Sequence, residues 1–191
     1  RGARQDVTNN DDETALQEAV KFGSFEVINF FAAWKNSEIR DEKLFEASNG
    51  GKTRLVRGLL IAGSSYEFRN AGNDQAIHKA ALGLGGHPEV VRLLLEAGTD
   101  ITSRGHAGAT PLTWAAITGQ LNTARYLLDS GAEIDTRDDD GLTALHWATM
   151  NNHLSLVCEL LDRKADKSVV DNSNNRTALD RARHMTYKDI Y

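Results

Sequence analysis

The sequence predicts an all-α solenoid of stacked helix-turn-helix units joined by β-hairpin-like turns. Three markers return along the 191 residues with one period of roughly 33 residues, which is typical of repeat architectures. The first marker is an apolar residue in a Thr-Ala-Leu-like motif, at Leu16, Leu44, Ile77, Leu112, Leu145 and Leu179. The second is Gly23, Gly51, Gly86, Gly119 and Asn152; the third is an apolar pair, at 30–31, 59–60, 94–95, 127–128 and 160–161.

Each part of the repeat has a local physical role. Thr110 is a helix N-cap, and Pro111 suits the first helical turn, where an N–H group has no intrahelical partner. Gly119 suits the left-handed conformation that ends a helix. A second amphipathic helix follows, and a turn such as 138–141, with three Asp and one Gly, closes the unit. Helices of about 8–10 residues are too short to hold alone in water, so the units must stack.

These motifs resemble the ankyrin repeat. Residues 108–135, which begin Gly-Ala-Thr-Pro-Leu, look like a nearly complete copy, and so do residues 141–166; residues 86–98 match the second half. The resemblance covers roughly residues 10 to 191. It implies a stack shaped like a cupped hand, in which the turn tips are fingers and the first helices form a palm. Partners of such proteins usually dock on the concave side.

We therefore expect one domain over residues 1–191 with about six repeats. Residues 1–9 are an N-terminal extension, and the repeats span 10–40, 41–69, 70–104, 105–137, 138–170 and 171–191; the first, second and last are atypical. In the fifth repeat Asn152 and Lys164 replace both glycines, and Asn tolerates the left-handed conformation better than Lys. End repeats commonly depart from the pattern because one face meets water.

Composition narrows the class of protein. A net charge of -5 argues against nucleic-acid binding, which needs a basic stripe. The single cysteine, Cys158, excludes an internal disulfide, and no apolar run approaches the ~20 residues of a membrane helix. No signal-peptide pattern opens the chain, and its start at Arg1 is typical of a fragment or processed form. We expect a monomeric domain, without membrane insertion, in the cytoplasm or nucleus.

Histidine and cysteine residues do not form a catalytic or zinc pattern. His78 and His146 stand at the fourth place of the family's Thr-Pro-Leu-His motif, where the ring resembles a structural hydrogen-bonding group between neighbouring turns. His106 and His184 lack a second ligand at i+3 or i+4, which disfavours zinc. Cys158 has no sequence signature of a placed base, so a structural thiol is the favoured interpretation.

Two loops resemble ion or phosphate sites only superficially. The glycine-rich segment 83–86 lacks the Lys-Ser/Thr of a phosphate loop and follows a helix, so a local bulge is favoured. Asp135 and residues 138–140 lack calcium-loop spacing and the distal Glu. A solvated acidic fingertip and a contact for a basic partner segment both remain open for these aspartates. We expect no cofactor, no metal and no catalysis.

The favoured function is a protein–protein interaction module that binds a partner protein or peptide on its concave face. The alternative is a substrate-docking domain of a larger enzyme whose catalytic part lies outside this chain. Trp114 and Trp147 occupy equivalent places on first helices, where they either pack between repeats or anchor a partner. With them, the family's contact positions carry over to turn tips and helix ends: Arg104, His106, Ala109, Ile117, Thr118, Arg137, Asp139, Asp140, Leu142, Met150 and Asn151.

Overall fold

The computed structural model describes residues 37–61, 63–83 and 85–188, with side chains up to residue 183. The expected first repeat, including Leu16, therefore lies almost entirely outside the described residues. Within these ranges the chain forms nine α-helices and one 3₁₀ turn at His106–Gly108: α1 Ser37–Asn49, α2 Thr53–Ile61, α3 Ala76–Leu82, α4 Pro88–Glu96, α5 Pro111–Thr118, α6 Leu121–Asp129, α7 Ala144–Met150, α8 Leu154–Asp162 and α9 Ala178–Lys188.

The helices form two parallel layers. The odd-numbered helices α1, α3, α5, α7 and α9 pack in succession, and α2, α4, α6 and α8 pack behind them in a second layer. Each of the four complete pairs, from α1–α2 to α7–α8, also packs internally, which gives the predicted helical solenoid. No strand occurs in the described part of the chain, where the connections are turns. Helix α1 begins at Ser37, so the expected repeat boundary between residues 40 and 41 lies inside a helix.

The helix ends follow the capping chemistry of the sequence. The Thr110 hydroxyl accepts a hydrogen bond from the Thr113 N–H at 3.2 Å, and Pro111 takes the first helical position of α5. Gly119 ends α5 with φ +71°, in the left-handed region. Asn152 and Lys164, which replace glycines in the next repeat, keep the same backbone conformation with φ of +58° and +68°. The fold therefore imposes this turn even where the side chain disfavours it.

The core is a row of apolar side chains that runs the length of the stack. Among its fully or almost fully buried members are Leu44, Ile77, Leu112 and Leu145 on the first helices, and Leu59, Leu94, Leu127 and Leu160 on the second helices. Each such side chain contributes about 1.5–3 kcal/mol by burial. Leu179, the sixth member of the expected row, is not buried, because 56% of its surface is exposed. Helix α9 has only α7 as its main helical neighbour, because no further helix of the described chain covers it.

Two histidines connect neighbouring turns, as the sequence predicts. The Nδ1 atom of His78 accepts a hydrogen bond from the Gln75 N–H, and its Nε2 donates to the Ser103 carbonyl, both at 3.0 Å. His146 repeats the pattern with Thr143 and with the Arg176 carbonyl of the next repeat. Burial lowers the pKa of both rings, and their hydrogen bonds to carbonyls oppose this only in part. Both side chains are thus structural.

A second pair of histidines connects one repeat to the first helix of the preceding repeat. His153 Nε2 bonds to the Ile117 carbonyl at 3.1 Å, and His87 Nε2 bonds to the Asn49 carbonyl at 3.2 Å. A Cβ atom at Gly119 would lie 2.4 Å from the His153 ring. This glycine is therefore required both by its backbone conformation and by the ring that packs on it.

None of the helices described here is long and apolar enough to cross a membrane.

Candidate partner-binding surface

Trp114 and Trp147 lie on neighbouring first helices, α5 and α7, and differ in their hydrogen bonding. Both are half-buried and pack against the core, so part of each ring is a packing element. The Trp147 Nε1 donates to Asp138 Oδ2 at 2.8 Å. The Trp114 Nε1 is buried and has no acceptor among the described residues. Buried indole N–H groups usually have a partner, which makes Trp114 the exception.

The difference between the two tryptophans originates in the turns above them. Asp138 begins the turn over Trp147, whereas Gly105 holds the corresponding place over Trp114. A Cβ at Gly105 would lie 2.4 Å from Asp74 Oδ1, which accepts a hydrogen bond from the His106 N–H. The carboxylate of the preceding turn thus occupies the space in which an aspartate like Asp138 would stand. Trp114 loses its acceptor for this reason.

Lys79 joins the tryptophans in a row of equivalent first-helix positions. It stands two residues after the buried Ile77, as Trp114 stands after Leu112. Its Nζ lies 5.6 Å from the ring centroids of both Phe45 and Trp114, and 3.0 Å from Asp74 Oδ2. Burial alone would raise the pKa of Asp74, but hydrogen bonds from His106 and Lys79 lower it overall. Sequence reasoning missed Lys79 and Phe45, although the position of Lys79 within the repeat could have revealed it.

The acidic turn 138–141 holds one buried and two exposed carboxylates. Asp138 is buried and accepts hydrogen bonds from the Asp140 and Leu142 N–H groups and from Trp147. Asp139 and Asp140 are exposed, and neither side chain accepts a hydrogen bond from the residues that the structure describes. We call the surface formed by Trp114, Trp147, Asp139 and Asp140 the palm patch. It combines two exposed carboxylates with two partly exposed aromatic rings, of which the Trp147 ring contacts the same turn through Asp138.

Three arginines connect successive turns. Arg69, Arg104 and Arg137 are exposed, and each donates a hydrogen bond to a backbone carbonyl of the following turn. The acceptors are the carbonyls of Arg104 at 2.8 Å, Arg137 at 3.0 Å and Val170 at 3.0 Å. We call this series the arginine ladder. Arg104 and Arg137 are among the expected partner contacts, but their guanidinium groups are already engaged within the stack.

The comparison with known families agrees with this architecture. A family model described as ankyrin repeats (3 copies) matches residues 44–138 and again residues 132–191, which together exceed half of the sequence. The chain belongs to the ankyrin-repeat family. No curated protein sequence matches it significantly. Ankyrin repeats are generally protein–protein interaction modules, which places this chain in the broad class that its sequence predicts.

Two of the expected contact residues are buried in this ankyrin stack. Ala109 is 4% exposed and Leu142 is 2% exposed, so neither side chain is open to a partner as expected of a contact residue. The reason is local: the carbonyl of each accepts a hydrogen bond across its own turn, from Gly105 and Asp138 respectively. This pairing holds the residue before each helix cap inside the row of turns.

The remaining expected contacts lie near the far ends of the first helices or at a turn. Ile117 and Met150 are half-buried at the ends of α5 and α7. The Asn151 Nδ2 donates to the Ile117 carbonyl at 3.1 Å, and the Thr118 hydroxyl donates to the Trp114 carbonyl at 3.1 Å. His106 is exposed on its 3₁₀ turn. Within the ankyrin stack, Asn151 and Thr118 therefore have internal partners while His106 faces solvent.

The other candidate chemistry of the sequence has simple structural explanations. Cys158 is exposed on α8, so its interpretation as a structural thiol is wrong; α8 packs through Leu156 and Leu160, which lie on another face. Gly83 and Gly86 lie in a tight turn after α3, with the Gly86 N–H bonded to the Gly83 carbonyl at 2.8 Å. Among the described residues, no three His, Cys, Asp or Glu side chains converge as metal ligands would.

Proposed function

We propose that this ankyrin-repeat chain binds a partner protein through the palm patch, and that the contacting segment of the partner is basic. The observation that carries the proposal is the contrast within one turn. The Asp138 carboxylate has three hydrogen-bond donors, whereas the carboxylates of the adjacent Asp139 and Asp140 have none among the described residues. Exposed, unpaired carboxylates steer a partner of opposite charge and pair with it on contact.

The tryptophans supply the apolar part of the surface. Trp147 is joined to the acidic turn by its hydrogen bond to Asp138, so its ring lies directly beside that turn. Trp114 follows on the adjacent helix, where its Nε1 has no acceptor among the described residues. Large, partly exposed aromatic side chains next to charged groups are typical of residues that dominate binding energy at protein interfaces.

The proposal is tested by charge reversal at the turn tip. The chain and its Asp139→Lys/Asp140→Lys variant are immobilised and used to capture proteins from a lysate of the source cells. We expect captured partners to be lost from the variant. With a purified captured partner, we expect the association rate to fall at least tenfold and its dependence on salt to weaken, as electrostatic steering requires.

A matched control variant separates the effect of charge at the palm patch from the effect of the net charge of the chain. Glu133→Lys/Asp162→Lys makes the same change in net charge at two exposed positions away from the palm patch. This variant should bind like the unmodified chain, and both variants should unfold at nearly the same temperature. Equal binding by the unmodified chain and the Asp139→Lys/Asp140→Lys variant, for every captured partner, would show that the palm patch is the wrong surface.

A further inference from the structure

Four equivalent positions form a row along the first helices, each two residues after the apolar marker of its repeat. In chain order the row contains Lys79, Trp114, Trp147 and Arg181. The helices that carry these residues, α3, α5, α7 and α9, pack against one another in the same order. The two aromatic rings of the palm patch therefore have one cation on each side. We call Lys79 and Arg181 the flanking cations.

Arg181 is held by the same turn geometry that holds Trp147. Asp171 begins the turn before α9 as Asp138 begins the turn before α7, and the N–H group of each bonds to a carbonyl across its own turn. The Arg181 Nε donates to Asp171 Oδ2 at 2.7 Å, which matches the hydrogen bond from Trp147 to Asp138. Another guanidinium nitrogen donates to Ser173 Oγ at 2.9 Å. The guanidinium group thus takes the place of the indole ring one repeat further along.

Each flanking cation is the accessible member of its ion pair. The Lys79 side chain is 19% exposed, whereas that of its partner Asp74 is 5% exposed. The Arg181 side chain is 22% exposed, whereas that of its partner Asp171 is 0% exposed. A segment that reaches either position therefore meets the cation and not the carboxylate. A lysine or arginine of that segment would lose water there without gaining an opposite charge, which is unfavourable.

The unpaired negative charge of the palm patch is confined to one repeat. Asp139 and Asp140 belong to the turn above Trp147, and their carboxylates accept no hydrogen bond from the described residues. Packed helices lie about 8–10 Å apart and an extended chain advances about 3.3 Å per residue, so a segment laid along the row passes one repeat in about three residues. A basic residue at the acidic turn is then about three residues from the position over Arg181 and about six from that over Lys79.

We propose that the flanking cations restrict the palm patch to partner segments with a single basic cluster and reject longer basic runs. This restriction rests on the proposed function, because it concerns which basic segments the palm patch accepts. The accepted segment places its lysine or arginine at the acidic turn and an apolar residue about three positions away, over Trp114. Uncharged or acidic residues lie over Lys79 and Arg181. Repulsion at the two ends of the row thus adds to the specificity that attraction at the acidic turn provides.

Selection from a peptide library tests this restriction. Random peptides of about 12 residues, enough to pass four repeats in extended form, are displayed on phage and selected on the chain. Peptides that also bind the Asp139→Lys/Asp140→Lys variant are discarded. We expect the remaining peptides to contain one basic cluster, with lysine and arginine depleted about three positions away on one side of it. In a synthetic copy, lysine at that position should weaken binding at least roughly threefold, as measured by fluorescence anisotropy.

Substitutions of the flanking cations show whether they cause the depletion. Arg181→Gln removes the cation and leaves the Asp171 carboxylate without it, so the added lysine should then strengthen binding. Arg181→Lys keeps the charge and should keep the rejection. Lys79→Gln should admit lysine at the other end of the segment. Arg183→Gln is the matched control, because it makes the same change in net charge at an exposed residue of α9 outside the row and should leave the preference unchanged. Thermal unfolding of every variant verifies its fold.

The possible failures of the two proposals are distinguishable. Enrichment of long basic runs, or tighter binding of the lysine-extended peptide to the unmodified chain, would overturn the restriction while leaving the palm patch as a site for basic segments. Equal effects of Arg181→Gln and Arg183→Gln would have the same meaning. If no selected peptide depends on Asp139 and Asp140 for binding, the proposed function fails and the restriction fails with it.

Discussion

Among the described residues the sequence Thr-Ala-Leu occurs twice, at residues 143–145 and 177–179, with opposite results for its leucine. Leu145 is 4% exposed in the middle of the stack, whereas Leu179 is 56% exposed at the end. Both open a first helix, and both follow a threonine and a buried alanine. The local sequence therefore determines the helix start, and the neighbouring repeat determines whether the leucine is buried. In a repeat stack, burial is a property of adjacent units rather than of the motif.

The largest change in the free energy of unfolding is expected when a buried leucine is truncated. Leu112→Ala removes a side chain that is 3% exposed between two packed helices, and should lower the free energy of unfolding by about 2–5 kcal/mol. Leu179→Ala should lower it by less than about 1 kcal/mol, since little of that side chain leaves water on folding. Urea unfolding followed by circular dichroism measures both. Equal losses would mean that the end of the stack is as well packed as its middle.

Two glycines with similar backbone conformations show how far the effect of a substitution depends on the residues of the next repeat. Gly119 has φ +71° and would place a Cβ against the His153 ring of the next repeat; Gly131 has φ +95° and would meet nothing within 4 Å. Alanine is strained at both, but only at Gly119 must it also displace His153. We expect Gly119→Ala to reduce the unfolding free energy by about 1–3 kcal/mol more than Gly131→Ala. A smaller loss at Gly119 would show that the ring moves freely.

Histidine burial makes the contacts between repeats sensitive to pH. Because burial lowers the pKa of His78 and His146 below the ordinary 6.5, the unfolded chain binds protons more readily than the folded chain. Stability is thus fully present above pH 6.5 and falls as the pH drops below it. Urea midpoints measured above the range in which carboxylates titrate should show this decline. His78→Gln should flatten it, and an equally steep decline in this variant would contradict the role of the buried ring.

The smallest change in the free energy of unfolding is expected at Asn152 and Lys164, which stand where other repeats have glycine. Lys164 has φ +68°, and replacement by glycine should relieve the strain and raise the unfolding free energy by a few tenths to about 1 kcal/mol. Asn152→Gly should give less, because asparagine tolerates this conformation better. Thermal unfolding compares the two. A loss of stability in Lys164→Gly would indicate that the lysine side chain makes a stabilising contact that outweighs its backbone strain.

The fold was predictable because each marker acts locally and recurs. Thr110, Pro111 and Gly119 specify the start and end of a helix through interactions with residues only a few positions away. Because these signals recur with one period, they were sufficient to predict the solenoid. The surface was less predictable, because it depends on contacts about one repeat apart. The engagement of Arg137 by the next turn depends on such a contact, and so does the lack of an acceptor for Trp114 among the described residues. A comparison of equivalent positions between repeats would have found Lys79 and the arginine ladder.

The arginine ladder determines how rigidly the turn tips are held before a partner binds. Each of Arg69, Arg104 and Arg137 fixes the next turn through a backbone carbonyl, and Asn172 adds hydrogen bonds from its N–H and side chain to the carbonyls of Asp140 and Asp139. Because the bonds hold main chain rather than side chain, the tips keep a set spacing before anything docks. A surface that is ordered in advance gives up little conformational entropy on association. The same interface area can therefore yield a longer-lived complex than mobile loops would allow.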